Sequence, residues 1–407
     1  MNPVADESGL NVDELRAQTR SCGNVTHLNN AGSALPPAVV VDTVIEHLRA
    51  EEAMGGYEAH AAAQERIDAV YTSVATLIDS RPDQIALVES ATAAWGRAFA
   101  AIEHTRPLGP GDRILVSSSE YASNVLPILQ LTRHCGVTLE FVPDGPDGCL
   151  DVSALTAMLD TDVAVVAVNH CPSQNGLIND VPAVSAALRA AGSTAWYIVD
   201  ACQSVGQLPV SAAEIGADFL SATGRKFLRG PRGTGFLYCS DRALNELEPF
   251  PLDLHSATWQ ATGFTVAEGA TRFESWEKSY ASILGLGAAI DYSLDCGIPA
   301  LALRINFLAT TLRQLLRELP GVTVTDRGLA QSGIVTFTHE SLAAADLVAS
   351  IRAAGINVSL STADYSRIDF DGHGLSGVVR VSPHAYNTEV ELMQLIAHLS
   401  GLINPLQ

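Results

Sequence analysis

Ala195-Trp-Tyr-Ile-Val-Asp200-Ala-Cys-Gln203 is a short continuous apolar run closed by a carboxylate. Such a run suits a central strand of a parallel sheet, covered on both faces. In open α/β sheets ligands sit beyond the carboxyl ends of the strands, so Asp200 is either a helix cap or a ligand contact. Val163-Ala-Val-Val-Ala-Val168 is a second run of the same kind, and strand patterns recur at Gln84–Val88, Arg113–Val116, Val137–Val142, Phe219–Ser221 and Gly235–Tyr238. Helical periodicity fills most gaps, at Ala91–Glu103, Asn124–His134, Val152–Leu159 and Val181–Ala191. Gly109-Pro-Gly-Asp112 and Asp144-Gly-Pro-Asp147 punctuate the units. The alternation predicts an α/β fold with a mainly parallel, doubly wound sheet.

The flanks complete the organisation. Residues 1–35 read as an N-terminal arm, followed by helices over Val39–Ala53, with Pro36 and Pro37 at its start, and over Ala59–Ile78. Ala281–Leu319 is helical in pattern and long enough to bridge two units. Beyond it, strands at Val322–Val324, Gly333–Thr338, Val358–Leu360 and Gly377–Val381 alternate with helices at Leu342–Ala354 and Glu389–Leu402. The expected division is an arm (1–35), a large α/β domain (36–285) and a smaller C-terminal α+β domain (286–407).

The chain has 407 residues and a formal net charge of −21, which argues against nucleic acid and anionic membrane surfaces as partners. Seven scattered cysteines with no C-x-x-C spacing argue against a zinc site or a disulfide framework, and no metal is expected. The N-terminus lacks the signal-peptide pattern, and no run of 18 apolar residues occurs, so a soluble cytoplasmic protein is expected. Of 24 Lys plus Arg only two are lysines, Lys226 and Lys278. Chemistry that needs a lysine amine therefore has two candidates.

Lys226 lies 26 residues after Asp200, in Ser221-Ala-Thr-Gly-Arg-Lys-Phe-Leu-Arg-Gly-Pro-Arg-Gly-Thr-Gly235. A pyridoxal phosphate site needs a lysine amine for a Schiff base and a carboxylate against the ring nitrogen. It also needs hydroxyls, N–H groups and a cation around the phosphate. A nicotinamide dehydrogenase would instead carry G-x-G-x-x-G after its first strand. The nearest glycine cluster, Gly230-Pro-Arg-Gly-Thr-Gly235, comes late and has other spacing.

From Leu28-Asn-Asn-Ala-Gly-Ser33 to Tyr386-Asn-Thr388 the sequence resembles fold-type I pyridoxal-phosphate enzymes of aminotransferase class V. That group includes cysteine desulfurases, C–S lyases and isopenicillin-N epimerase-like proteins. The resemblance implies pyridoxal 5'-phosphate as cofactor, an amino acid as small-molecule substrate, and a homodimer. It makes Lys226 the Schiff-base lysine, Asp200 the partner of the ring nitrogen, and Gln203 the neighbour of the cofactor's phenolic oxygen. Thr223, Thr92, Ala93 and Arg225 fall at phosphate positions, with Ala93 replacing a glutamate and Arg225 a histidine. Tyr121, after Glu120, stands where desulfurases stack a histidine on the ring. Arg380 corresponds to the clamp for the substrate carboxylate, a role suited to a bidentate guanidinium. Asn30 and Tyr365 are implied on the substrate side, and His170 is read as structural. Lys278 is read as structural or as a cation at the substrate mouth, replaceable by arginine. Glu277 stands where the family often reaches the partner's phosphate, and is expected to pair with Arg225 of the opposite subunit.

Desulfurases carry a nucleophilic cysteine about fifteen residues before the clamp arginine. Here that count lands on Asp364-Tyr365-Ser366, and no cysteine follows Cys296. A persulfide-forming route needs a thiolate there. The reading at this point therefore disfavours a cysteine desulfurase. It favours a C–S β-lyase acting on an S-substituted cysteine, in natural-product sulfur metabolism, with oxidative deaminase, epimerase and aminotransferase outcomes as alternatives. Lys226, Tyr121 and Asp200 are the expected catalytic residues.

Overall fold

A computed structural model describes residues 6–403 of the chain. The first five residues of the arm and the last four of the C-terminal unit lie outside the described residues.

Seven strands form the large sheet: β1 (Ile85–Val88), β2 (Arg113–Ser117), β3 (Thr138–Val142), β4 (Val163–Asn169), β5 (Trp196–Asp200), β6 (Phe219–Thr223) and β7 (Gly235–Cys239). Their spatial order is β1-β7-β6-β5-β4-β2-β3. β7 runs antiparallel to both its neighbours, and the other pairings are parallel. β4 to β7 are buried along their whole length, as continuous apolar runs require. Alternate residues enter opposite layers. Tyr197 and Val199 pack into one hydrophobic core, and Trp196 and Ile198 into the core on the other face. This is the two-sided α/β sheet of the fold-type I class expected from the sequence.

A second sheet of four antiparallel strands, β8 (Val322–Val324), β9 (Val335–His339), β10 (Ser359–Thr362) and β11 (Gly377–Val381), has the order β8-β9-β11-β10. Helices Ile298–Arg317, Ala344–Ala353 and Glu389–Ile403 contribute Leu308, Leu347 and Leu395 to its core.

Several elements differ from the sequence expectation. The stretch 281–319 is two helices, Tyr280–Cys296 and Ile298–Arg317, bent by 82°. Gly297 at φ 82° ends the first, and Pro299 starts the second. The helix expected over 59–78 divides at Ala63 into Gly56–Ala62 and Gln64–Leu77. The arm contains a helix, Val12–Ala17, and its Thr26–His27 pairs in parallel with Ile356–Asn357. That pairing joins sequence ends that no local pattern connects. The hairpin Ala257–Gln260 with Gly263–Val266 was not foreseen, because it is mostly exposed and has no apolar face to reveal it. Among the described residues no single helix is long and apolar enough to cross a membrane.

Candidate active site

The carboxyl ends of β4, β5 and β6 open onto a cavity of about 270 Å³. Asp200, the last residue of β5, lines it and is buried. Its Oδ1 accepts the Cys202 N–H at 2.8 Å, and its Oδ2 accepts Asn124 Nδ2 at 2.9 Å. Asp200 thus caps a local turn and still faces the cavity. Lys226 lies in the loop after β6, is buried, and points Nζ to Cys202 Sγ at 3.1 Å. The glycine before Arg225 has a steric reason: a Cβ on Gly224 would lie 2.3 Å from Thr234 Oγ1.

Thr223 ends β6, gives its hydroxyl proton to Thr234 O at 3.1 Å, and accepts Arg225 Nη1 at 3.2 Å. Both line the cavity, as does Thr92. The cap of helix Ala91–Thr105 is Ser90, whose Oγ accepts the Ala93 N–H at 3.1 Å. The Thr92 hydroxyl is therefore not used for capping. Ala93 is absent from the cavity wall, because its N–H turns back to Ser90. Gln203 donates Nε2 to Ala31 O at 3.1 Å, while its buried Oε1 has no partner.

Tyr121 lines the cavity, and its ring lies nearly parallel to that of Tyr365, with centroids 6.3 Å apart. Tyr365 belongs to a one-turn segment, Ala363–Tyr365, and is not itself on the cavity wall. Arg380 is buried on β11, donating to Ser173 O at 3.0 Å and Asn29 Oδ1 at 3.3 Å, while its Nε has no partner. Burial pushes its guanidinium down to about 10, still charged at neutral pH. A buried cation with unused donor capacity is a receptor for a carboxylate.

Asn30 departs from its expected place, and His170 and Lys278 also lie off the cavity wall. Asn30 is fully buried and committed elsewhere, donating to Ser382 O at 2.8 Å and accepting the Tyr386 hydroxyl at 2.5 Å. Its neighbour Asn29 is the residue that reaches Arg380. His170 is buried with Nδ1 unpartnered, and burial pushes it down to about 4, so it is neutral and off the cavity wall. Lys278 stands in a different cleft, paired with the buried carboxylate of Glu274, which also accepts Leu87 N–H at 2.6 Å and the Tyr71 hydroxyl. Its replacement is therefore more constrained than the sequence suggests. Lys278→Met should cost about 3–5 kcal/mol, since it takes the ammonium from a buried carboxylate and leaves His255, 3.0 Å away, as its only other ionisable cationic neighbour among the described residues. A urea midpoint close to that of the parent would contradict this, and Lys278→Arg, which keeps the charge, should cost less.

Sequence reasoning missed Asn124, Cys202, Asn169 and Asn29. Cys202 and Asn124 lie inside the segments already singled out, but only the fold shows that both reach Asp200. Pyridoxal 5'-phosphate fits this donor set. An amine on the cavity wall, a buried carboxylate, and two hydroxyls with a guanidinium answer its aldehyde, ring nitrogen and phosphate.

The sequence model of the aminotransferase class-V family matches residues 26–395. A probable cysteine desulfurase of Methanothermobacter thermautotrophicus is 27% identical over 394 residues, covering 95% of this chain and 96% of that protein. A cysteine desulfurase of Pectobacterium atrosepticum is 28% identical over 393 residues, with 93% of each chain covered. The apo structure of a cysteine desulfurase from Thermococcus onnurineus superposes with a TM-score of 0.90 at 24% identity, over the whole of both chains. These relatives overturn the reading against a cysteine desulfurase, and with it the preference for a β-lyase of S-substituted cysteines or for its alternatives. The missing thiol at Asp364-Tyr365-Ser366 concerns one loop, whereas proteins named for desulfurization match nearly end to end.

Proposed function

The chain belongs to the aminotransferase class-V family, and from that premise we propose that it is a pyridoxal 5'-phosphate enzyme of the cysteine desulfurase type. The observation that carries the cofactor reading is the Lys226 amine on the wall of a cavity that Asp200 also lines. Support for the sulfur chemistry comes from the relatives named cysteine desulfurase.

When bound, the cofactor supplies an aldehyde that condenses with amines and a ring that accepts the electron pair released at Cα. In this proposal the Asp200 carboxylate holds the ring nitrogen protonated. Thr92, Thr223 and Arg225 take the phosphate, and Tyr121 covers a ring face. Arg380 holds the substrate carboxylate, with Tyr365 at the mouth. The Lys226 amine, once free, removes and returns the Cα proton. The balanced outcome is cysteine plus an acceptor thiol giving alanine plus a persulfide. Cys202 faces the Lys226 amine, which opposes the upward push of burial on its thiol.

Residues 363–366 carry no thiol, so sulfur delivery should depend on an added one. Holoenzyme with L-cysteine and dithiothreitol is expected to release alanine and sulfide in equal amounts, and alanine formation should rise with dithiothreitol. Pyruvate and ammonia in place of alanine would refute desulfurization.

We also propose a homodimer. Tyr57 and Trp276 are exposed beside a cleft of about 950 Å³ that Glu277 also lines. Pairing of Glu277 with Arg225 of the partner subunit belongs to this proposal, and a monomeric mass in light scattering would remove it. Seven unpaired cysteines suit a cytoplasmic setting.

A further inference from the structure

Glu120 sits in the turn between β2 and helix Ala122–Cys135, only 2% exposed. None of its hydrogen-bond partners is a cation. It accepts the Tyr121 N–H at 3.0 Å, Asn124 Nδ2 at 2.9 Å and the Ser117 hydroxyl at 3.4 Å. The same Asn124 Nδ2 lies 2.9 Å from Asp200 Oδ2. One amide group therefore spans two buried carboxylates. The other Asp200 oxygen is held by the Cys202 N–H.

Two carboxylates this close in a dry environment do not both ionise at low cost. Burial and the Asp200 charge push Glu120 up to about 7. Among the described residues no cation pairs with Glu120. Asp200 and Tyr197 face Glu120 from β5. Asp364 and Arg367, which hydrogen-bond each other at 3.1 Å, line a small cavity that Glu120 also borders.

We propose that Glu120 is a positioning residue that sets, through Asn124, the negative charge Asp200 presents to the cofactor ring. The proposal rests on the assignment of Asp200 to the ring nitrogen. With Glu120 ionised, two negative charges favour protonation of the ring system. With Glu120 neutral, Asp200 acts alone, and its amide tether keeps the carboxylate in one orientation.

The test is a pH titration of the bound cofactor's absorbance in full-chain holoenzyme. Glu120→Gln should lower the midpoint by about half to one pH unit, since it deletes a nearby negative charge. Glu120→Asp should recover part of the shift. Asn124→Ala should also move the midpoint, and the double variant should shift by less than the two single shifts combined, because the residues act as one unit. Additive shifts, or an unmoved midpoint in Glu120→Gln, would overturn the proposal. Asp200→Asn separates the two levels. If it leaves the titration unchanged, the assignment of Asp200 fails. If it shifts the titration while Glu120→Gln does not, only the role of Glu120 fails.

Thermal unfolding of the full chain without cofactor reads the same group independently. The folded pKa is raised, so as pH climbs from about 4.5 toward 7 the unfolded chain releases its proton first. Glu120 thus lowers stability progressively across that window. The Tm of Glu120→Gln should rise relative to the parent as pH increases through it, and match the parent near pH 4.5. A Gln variant that fails to fold at pH 8, or a Tm gap that does not depend on pH, would overturn the proposal.

Discussion

Replacing Lys226 with alanine is expected to lower kcat by at least about 10⁴-fold, because one amine serves both as covalent anchor and as Cα proton carrier. Neither job can pass to a neighbour. Lys278, the other lysine, is paired with Glu274 in a separate cleft. Arg225 lines the cavity, but a guanidinium stays protonated and does not condense with an aldehyde. Cofactor binding should persist at reduced affinity, since Asp200, Thr223 and Arg225 are untouched. The discriminating readout is covalent attachment. After borohydride treatment the parent should carry the cofactor on the peptide containing Lys226, and the alanine variant should carry none. A variant that keeps both turnover and a reductively fixed cofactor would remove Lys226 from the mechanism.

The same residue shows how much the sequence could disclose. Scarcity of lysine left Lys226 conspicuous, and the apolar run ending at Asp200 marked the strand whose end it faces. Continuous burial across β4 to β7 made those strands readable without partners, because nothing but a two-sided sheet accommodates them. Spacing alone could not reveal that Asn124 lies 2.9 Å from both Glu120 and Asp200. That contact joins residues 76 positions apart. Asn30 failed for a related reason: Asn29 and Asn30 are equal in sequence, and backbone direction alone decides which reaches Arg380 and which is buried under Tyr386. The reaction poses a different problem: residues 363–366 lack a thiol, whereas proteins named for desulfurization agree with the chain nearly end to end.

Arg380→Ala is the second change with a large expected effect. Truncating one partner of a buried, hydrogen-bonded charge pair costs about 2–5 kcal/mol. For a substrate carboxylate held by this guanidinium, that is a fall of about 30- to 5000-fold in kcat/KM. The loss should fall mainly on KM. Arg380 belongs to β11 of the smaller sheet and meets the cavity wall through Ser173, whereas Lys226 and Asp200 belong to the large one, so proton transfer at Cα keeps its own machinery. The parent side chain spends one donor on Ser173 O and one on Asn29 Oδ1, leaving Nε free. Removing it therefore also loosens the strand-to-loop contact at Ser173, which itself lines the cavity. Arg380→Lys distinguishes the two effects. An ammonium restores charge but not the planar fork, so it should recover folding and cofactor absorbance fully and kcat/KM only in part. Full recovery of kcat/KM by lysine would mean that charge alone, without bidentate geometry, holds the substrate.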